Sequence, residues 1–185
     1  MGRTPDELIT LGYQARREAR LEDARRFFAE AVDLCRPSGT DNDSLLASAL
    51  TGLGQIERDL KNRSAALEHY REAVKLYRGG VDPLRFAHTI RHLGDVLRED
   101  GGIEEARACY QEALAIYRKH KETSPLDLAN TLRGFALLRE AADEAEEAKL
   151  LWQEARGLYQ SVNVEAGVQE SDRQIERLMA KQRNG

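Results

Sequence analysis

A register that returns four times constrains this chain more than any other feature. Leu11-Gly12, Leu53-Gly54 and Leu93-Gly94 open three copies, and Phe135-Ala136 stands in the same slot of the fourth. Twelve residues later comes Ala24, Ala66, Ala106 or Ala148, and four further on an aromatic: Phe28, Tyr70, Tyr110, Trp152. Ala31, Ala73, Ala113 and Ala155 follow, and Cys35, Tyr77, Tyr117 and Tyr159 close the pattern. The copies are offset by 42, 40 and 42 residues. A period of this size marks a unit that cannot bury its apolar face alone, so successive units stack.

Each unit reads as two antiparallel helices. In the third copy Ile90, Leu93, Val96 and Leu97 recur at helical spacing, and so do Tyr110, Ala113, Leu114 and Tyr117 after the turn. Neither stretch alternates as a strand would. Thr4-Pro5-Asp6-Glu7 is a capping box with proline in the first turn, and Asp82-Pro83 and Ser124-Pro125 repeat the device. Asp43 or Ser44 is expected to open the third helix. Turns inside the units are expected at 20–22, 61–62, 101–102 and 142–143, and linkers between units at 37–42, 79–82 and 121–124. The small residues predict close helix approach, with the aromatic filling the space between neighbouring units. A last helix, at about 163–181, carries Val168, Ser171, Ile175 and Leu178 on one face and has no partner after it. That is the form of a C-terminal cap, with 181–185 expected to fray. The expected architecture is all-α: a right-handed α-solenoid of four repeats (about 4–37, 46–79, 86–119 and 128–161) plus that cap, in one domain over 1–185.

The 185 residues are 41% hydrophobic and 32% charged, which suits amphipathic helices and not disorder. A net charge of -4 disfavours a general nucleic-acid binder. No apolar run approaches the ~20 residues that span a bilayer, and residues 1–11 have no signal-like apolar core. The expectation is a cytoplasmic protein without nucleic-acid or membrane partners. Cys35 and Cys109 lie on second-helix apolar stripes and read as small buried hydrophobes. His69 stands where other copies have Phe27, Cys109 and Leu151, which predicts a half-buried packing role.

In these landmarks the chain resembles the tetratricopeptide repeat family. Leu93-Gly94, Gly101, Ala106, Tyr110 and Ala113-Leu114 match the family signature, and the first two copies match nearly as well. The fourth departs from it at Ala136, Ala142 and Trp152. Copies of 40–42 residues, in place of 34, resemble the long kinesin-light-chain type. The resemblance implies protein or peptide binding in a concave groove lined by first helices. Carried over position by position, the groove residues are Tyr13, Arg16, Thr51, Gln55, Arg58, His88, Arg91, Asp95, Arg98, Asn130, Arg133 and Leu137, with His92 beside them. Guanidinium groups favour carboxylates, so the expected ligand is an acidic or C-terminal segment held extended. The competing reading pairs these arginines internally with Asp59, Asp95, Glu99 and Glu140. The family's carboxylate clamp is not reproduced, because Ile9, Tyr13, Thr51 and Gln55 stand where it needs Lys and Asn.

No phosphate loop, Cys-x-x-Cys, nucleophile elbow or His-Glu-x-x-His occurs. His88 and His92 are spaced i, i+4, but no Glu or Cys nearby in sequence completes a metal site. The expectation is a non-enzymatic scaffold or adaptor without a cofactor. The alternatives are a module that self-associates through an apolar end at Leu8, Leu11 and Phe27, or the peptide-sensing part of a larger regulator.

Overall fold

Backbone satisfaction at the helix ends explains how these units turn. The computed structural model describes residues 2–36, 42–78, 80 and 82–183. Among them are nine helices and no strand: α1 Pro5–Arg17, α2 Leu21–Cys35, α3 Asp43–Asp59, α4 Arg63–Tyr77, α5 Pro83–Glu99, α6 Ile103–Lys119, α7 Pro125–Ala141, α8 Ala145–Ser161 and α9 Glu165–Arg183. Five helix-to-helix turns share one design. Ala19, Lys61, Gly101, Asp143 and Asn163 adopt left-handed φ values of 58°, 68°, 84°, 61° and 57°. The next residue's N–H then reaches a carbonyl five positions back, as in Arg20 to Ala15 at 2.9 Å and Gly102 to Leu97 at 2.8 Å. This is the Schellman closure of a helix C-terminus. Only one of the five left-handed positions is glycine. The first turn therefore centres on Ala19, slightly earlier than the expected 20–22.

The start signals hold in part. Thr4 Oγ1 accepts from the Glu7 N–H at 3.3 Å while Glu7 accepts from the Thr4 N–H at 2.8 Å, a complete capping box. Asp82 accepts from the Arg85 N–H at 2.9 Å. Ser124 occupies the N-cap of α7 but its side chain makes no cap bond there. Asp43 begins α3 as expected. Of the expected linkers, residues 37–41, 79 and 81 lie outside the described residues. Of the stretch 181–185, residues 181–183 form the end of α9, where Lys181 reaches Asp143 at 2.7 Å; residues 184–185 lie outside the described residues.

The chain divides into two compact units, Met1–Val96 and Leu97–Gly185. In the first, the Phe28 ring is a wedge. A Cβ on Gly12 would stand 2.7 Å from it, and one on Gly52 only 2.3 Å. Glycine is therefore required on both sides, from the ring's own repeat and from the next. Gly54 meets Tyr70 in the same way, at 2.8 Å. Leu8, Leu50 and Ile56 complete this core with no exposure. Of the three residues of the expected apolar end, Leu11 and Phe27 are half-buried. Leu8 is buried, and Phe27 has the Arg3 and Arg26 guanidinium groups 5.5 and 5.4 Å from its ring centroid.

In the second unit Tyr110 stacks on Phe135 with centroids 5.8 Å apart. Trp152 is fully buried, packed with Ala136, Ala148 and, from α9, Leu178. Tyr159 sits against Gly167, whose Cβ would meet the ring at 2.5 Å. The final helix thus covers the fourth repeat with one apolar face, as a cap must. Cys35 is buried and Cys109 partly so.

Candidate functional site

The first helices bring most of the expected residues of unit Met1–Val96 into one hydrogen-bonded network. Arg16 on α1 donates through Nε to Asp59 at 2.8 Å and through Nη1 to Gln55 Oε1 at 3.1 Å. A guanidinium has no acceptor, so this bond fixes the orientation of the Gln55 amide. Gln55 Nε2 is then the donor to His88 Nε2 at 3.3 Å and to His92 Nε2 at 3.1 Å. His92 Nε2 accepts a second bond, from Arg91 Nη2 at 2.8 Å. Both imidazoles accept at Nε2, so each neutral ring carries its proton on Nδ1. Asp95 Oδ2 receives Arg58 and Arg91, each at 3.3 Å.

Burial orders this network. Gln55, Arg91, His92 and Asp95 are buried, whereas Arg16, Arg58 and His88 are partly exposed. Thr51 is buried beside Thr89, their hydroxyl oxygens 3.0 Å apart; one hydroxyl can donate to the other while the acceptor of that bond donates to the carbonyl four residues back in its own helix, Ala47 for Thr51 or Arg85 for Thr89. Tyr13 is half-buried with its ring edge-on to Phe28, centroids 5.0 Å apart. His92 stacks nearly parallel on Tyr70, at 5.8 Å, and meets His88 edge to face at 4.6 Å. Burial drives the His92 pKa well below the ordinary histidine range, and the nearby charges of Arg91, His88, Arg58 and Arg16 push it the same way. Burial likewise raises the Tyr70 and Tyr13 hydroxyls. His69 is half-buried, and desolvation lowers its pKa too.

The expected residues in Leu97–Gly185 are engaged differently. Arg133 makes a two-pronged pair with Glu170 of α9, both bonds 2.7 Å. Asn130 accepts from the Tyr159 hydroxyl at 2.8 Å. Leu137 packs beside the Trp152 cluster. Glu140 accepts from Trp152 Nε1 at 2.6 Å and also holds Arg177. Arg98 lies 3.6 Å from Glu99. Internal pairing of the arginines is therefore extensive, with Glu170 as the partner of Arg133 in place of Glu140.

Several structural residues escape a reading of the signature alone. Gly52 closes the Phe28 wedge, and it shares a slot with His92 and Gly134, each two residues before the small landmark. That alternation of Gly, His and Gly was the available signal. Glu57 is 2% exposed and bridges Arg25 at 2.7 Å and Asn62 at 2.8 Å. Arg85 reaches Ser48 at 3.4 Å.

Helix pairs joined by identical turns, with ring wedges between small residues, define a helical repeat protein. The tetratricopeptide repeat model matches residues 8–79 and 85–161, and the chain belongs to that family. Among solved structures it is similar to BtubC (BKLC) from P. vanneervenii, with a TM-score of 0.74 and 22% identity over 88% of this chain and 67% of that one. Two structures of nearly identical TPR-like repeats of a putative kinesin light chain from Podosopora anserina align as well. One of them, a point-substituted form, gives a TM-score of 0.71 at 13% identity over the whole of both chains, and the other 0.70 at 13% identity over 97% of each. Likeness at these identities concerns the fold. No curated protein matches the chain. No described helix is long and apolar enough to cross a membrane.

Proposed function

We propose that the protein is an adaptor whose first-helix face in Met1–Val96 holds an extended acidic segment of another protein. Repeats of this family mediate protein–protein interaction and generally serve as non-catalytic scaffolds. The observation that carries the reading is the convergence of three arginines on one face: Arg16 on Gln55, which bonds His88 and His92, Arg91 on His92 and Asp95, and Arg58 on the same Asp95 oxygen. Arg16 and Arg58 are the exposed members, and they can meet a carboxylate without leaving their scaffold. Their positions are held by bonds already made, so little ordering entropy remains to be lost on binding. Arg91 is buried and serves to position its neighbours.

The test is a fluorescence titration with a labelled Glu/Asp-rich peptide and a Lys-rich one of the same length. The acidic peptide should bind, and the Arg16→Glu/Arg58→Glu protein should lose it while keeping the wild-type far-UV spectrum. Equal affinity for both peptides, or an unaltered acidic affinity in the variant, rejects the reading.

A further inference from the structure

His92 occupies the slot that Gly52 fills one repeat earlier. There the preceding aromatic, Phe28, lies so close that no side chain fits. Here the preceding aromatic is Tyr70, and an imidazole lies flat against it. The wedge between repeats and the first-helix wall therefore meet at a single titratable ring.

The hydrogen bonds around that ring admit only its neutral form. Its Nε2 already accepts from Arg91 and Gln55, neither of which can reverse its role. Gln55 cannot flip its amide, because Arg16 needs Oε1 as an acceptor. A proton on Nε2 would thus point at two N–H groups. The Nδ1 N–H has no hydrogen-bond partner; the nearest acidic oxygen, Asp95 Oδ2, is 3.7 Å away. Arg91 Nε and the Tyr70 hydroxyl are buried without partners as well. The charged and titratable groups facing His92 are Arg16 from α1, Arg58 from α3, Tyr70 from α4, and His88, Arg91 and Asp95 from α5. Cations predominate among them.

We propose that capture of a carboxylate by this wall is coupled to uptake of a proton by His92, so that the wall binds acidic segments more tightly as pH falls. The inference rests on the acidic-segment reading above. A carboxylate arriving at Arg16 and Arg58 adds the negative charge that a protonated imidazole among arginines lacks. Protonation in turn ends the Arg91-to-His92 bond and turns that guanidinium edge toward the ligand, while Arg91 keeps Asp95. Ligand and proton therefore favour each other, and by linkage each raises the affinity for the other. Asp and Glu side chains of the ligand stay ionised to about pH 5, so the ligand's own titration does not mask the effect.

The experiment uses the full chain and a Glu/Asp-rich decapeptide. Calorimetric titration in two buffers of different ionisation enthalpy counts the protons taken up on binding. Wild type should take up a fraction of a proton near neutrality, and its affinity should rise about tenfold between about pH 7.5 and 5.5. The His88→Gln/His92→Gln protein keeps amide groups that can accept but cannot be protonated, and it should bind with no uptake and a flat pH profile. Long-range nitrogen–proton spectra of unliganded wild type should show both rings with the proton on Nδ1 at neutral pH, a readout independent of the variant's folding. Zero uptake by wild type, affinity that falls with acid, or Nε2-protonated rings would overturn the proposal. If the peptide binds at no pH, the acidic-segment reading fails, and the proton-coupled capture built on it falls too. Binding with a flat profile removes only the coupling.

Discussion

The two halves of the chain are built on one register, yet they bury different chemistry. Among the described residues of 1–96, eight polar or charged residues are buried: Ser48, Thr51, Gln55, Glu57, Thr89, Arg91, His92 and Asp95. Among those of 97–185 only Thr131 and Ser171 are, and each hydroxyl is satisfied by a carbonyl four residues back in its own helix. Where the first half bridges helices with guanidinium, amide and imidazole, the second packs Trp152, Tyr110 and Phe135 and lets α9 neutralise Arg133. The shared landmarks thus specify packing alone. The positions between them decide whether a first-helix face is a polar wall or a docking face for the cap.

The largest effects test what the halves share. Phe28→Ala and Trp152→Ala each remove a fully buried ring, and each should cost about 3–5 kcal/mol in denaturant unfolding. A much smaller loss for either would mean that the wedge is not a common device. Glu57→Ala separates the halves. It strips Arg25 and Asn62 of their acceptor, and a cost of about 2–3 kcal/mol is expected, since a buried polar contact is lost while Arg25 stays near solvent. Protection in hydrogen exchange should fall first in residues 42–78.

Acid should divide the halves next. The unfolded chain protonates His92 near its ordinary value of 6.5, whereas the folded chain does so only at lower pH. Between those values the unfolded state holds more protons, so stability falls as pH drops below about 6.5 and levels off once the folded ring also protonates. His92→Gln should remove that slope from the first half. A slope that survives the substitution would assign it to another group, His69 first. Ala19→Gly tests the turn. It should stabilise by about 1 kcal/mol, because an L side chain at a φ of 58° is strained and glycine is not. The smallest change is Arg133→Ala. Its ion pair with Glu170 is partly exposed, so the loss should be no more than about 1 kcal/mol, shrinking with salt.

Helix existence, repeat phase and the capping role of α9 were readable because each depends on local spacing. The wall was readable only as a set of positions. The register placed Arg16, Gln55, Arg58 and Asp95 on one face, but the Arg16–Gln55 and Arg58–Asp95 bonds span 39 and 37 residues. Those depend on how far one repeat is shifted against the next. The internal partner of Arg133 was missed for the same reason: Glu170 lies on the cap, whose close approach to α8 comes from Gly167 against Tyr159. Burial of His92 was legible in principle, since its slot holds Gly in two other copies, and Gly52 faces the Phe28 ring and not solvent. The proton positions on both imidazoles follow only from the donor-only geometry of Arg16 and Arg91.

Amide shift mapping on addition of a Glu/Asp-rich peptide most directly tests the wall in 1–96 as the place of binding. The perturbed amides should cluster on α1, α3 and the 83–96 stretch of α5, with the Gln55 side-chain amide among them. Perturbations confined to α2 and α4, or to residues 97–185, would contradict it.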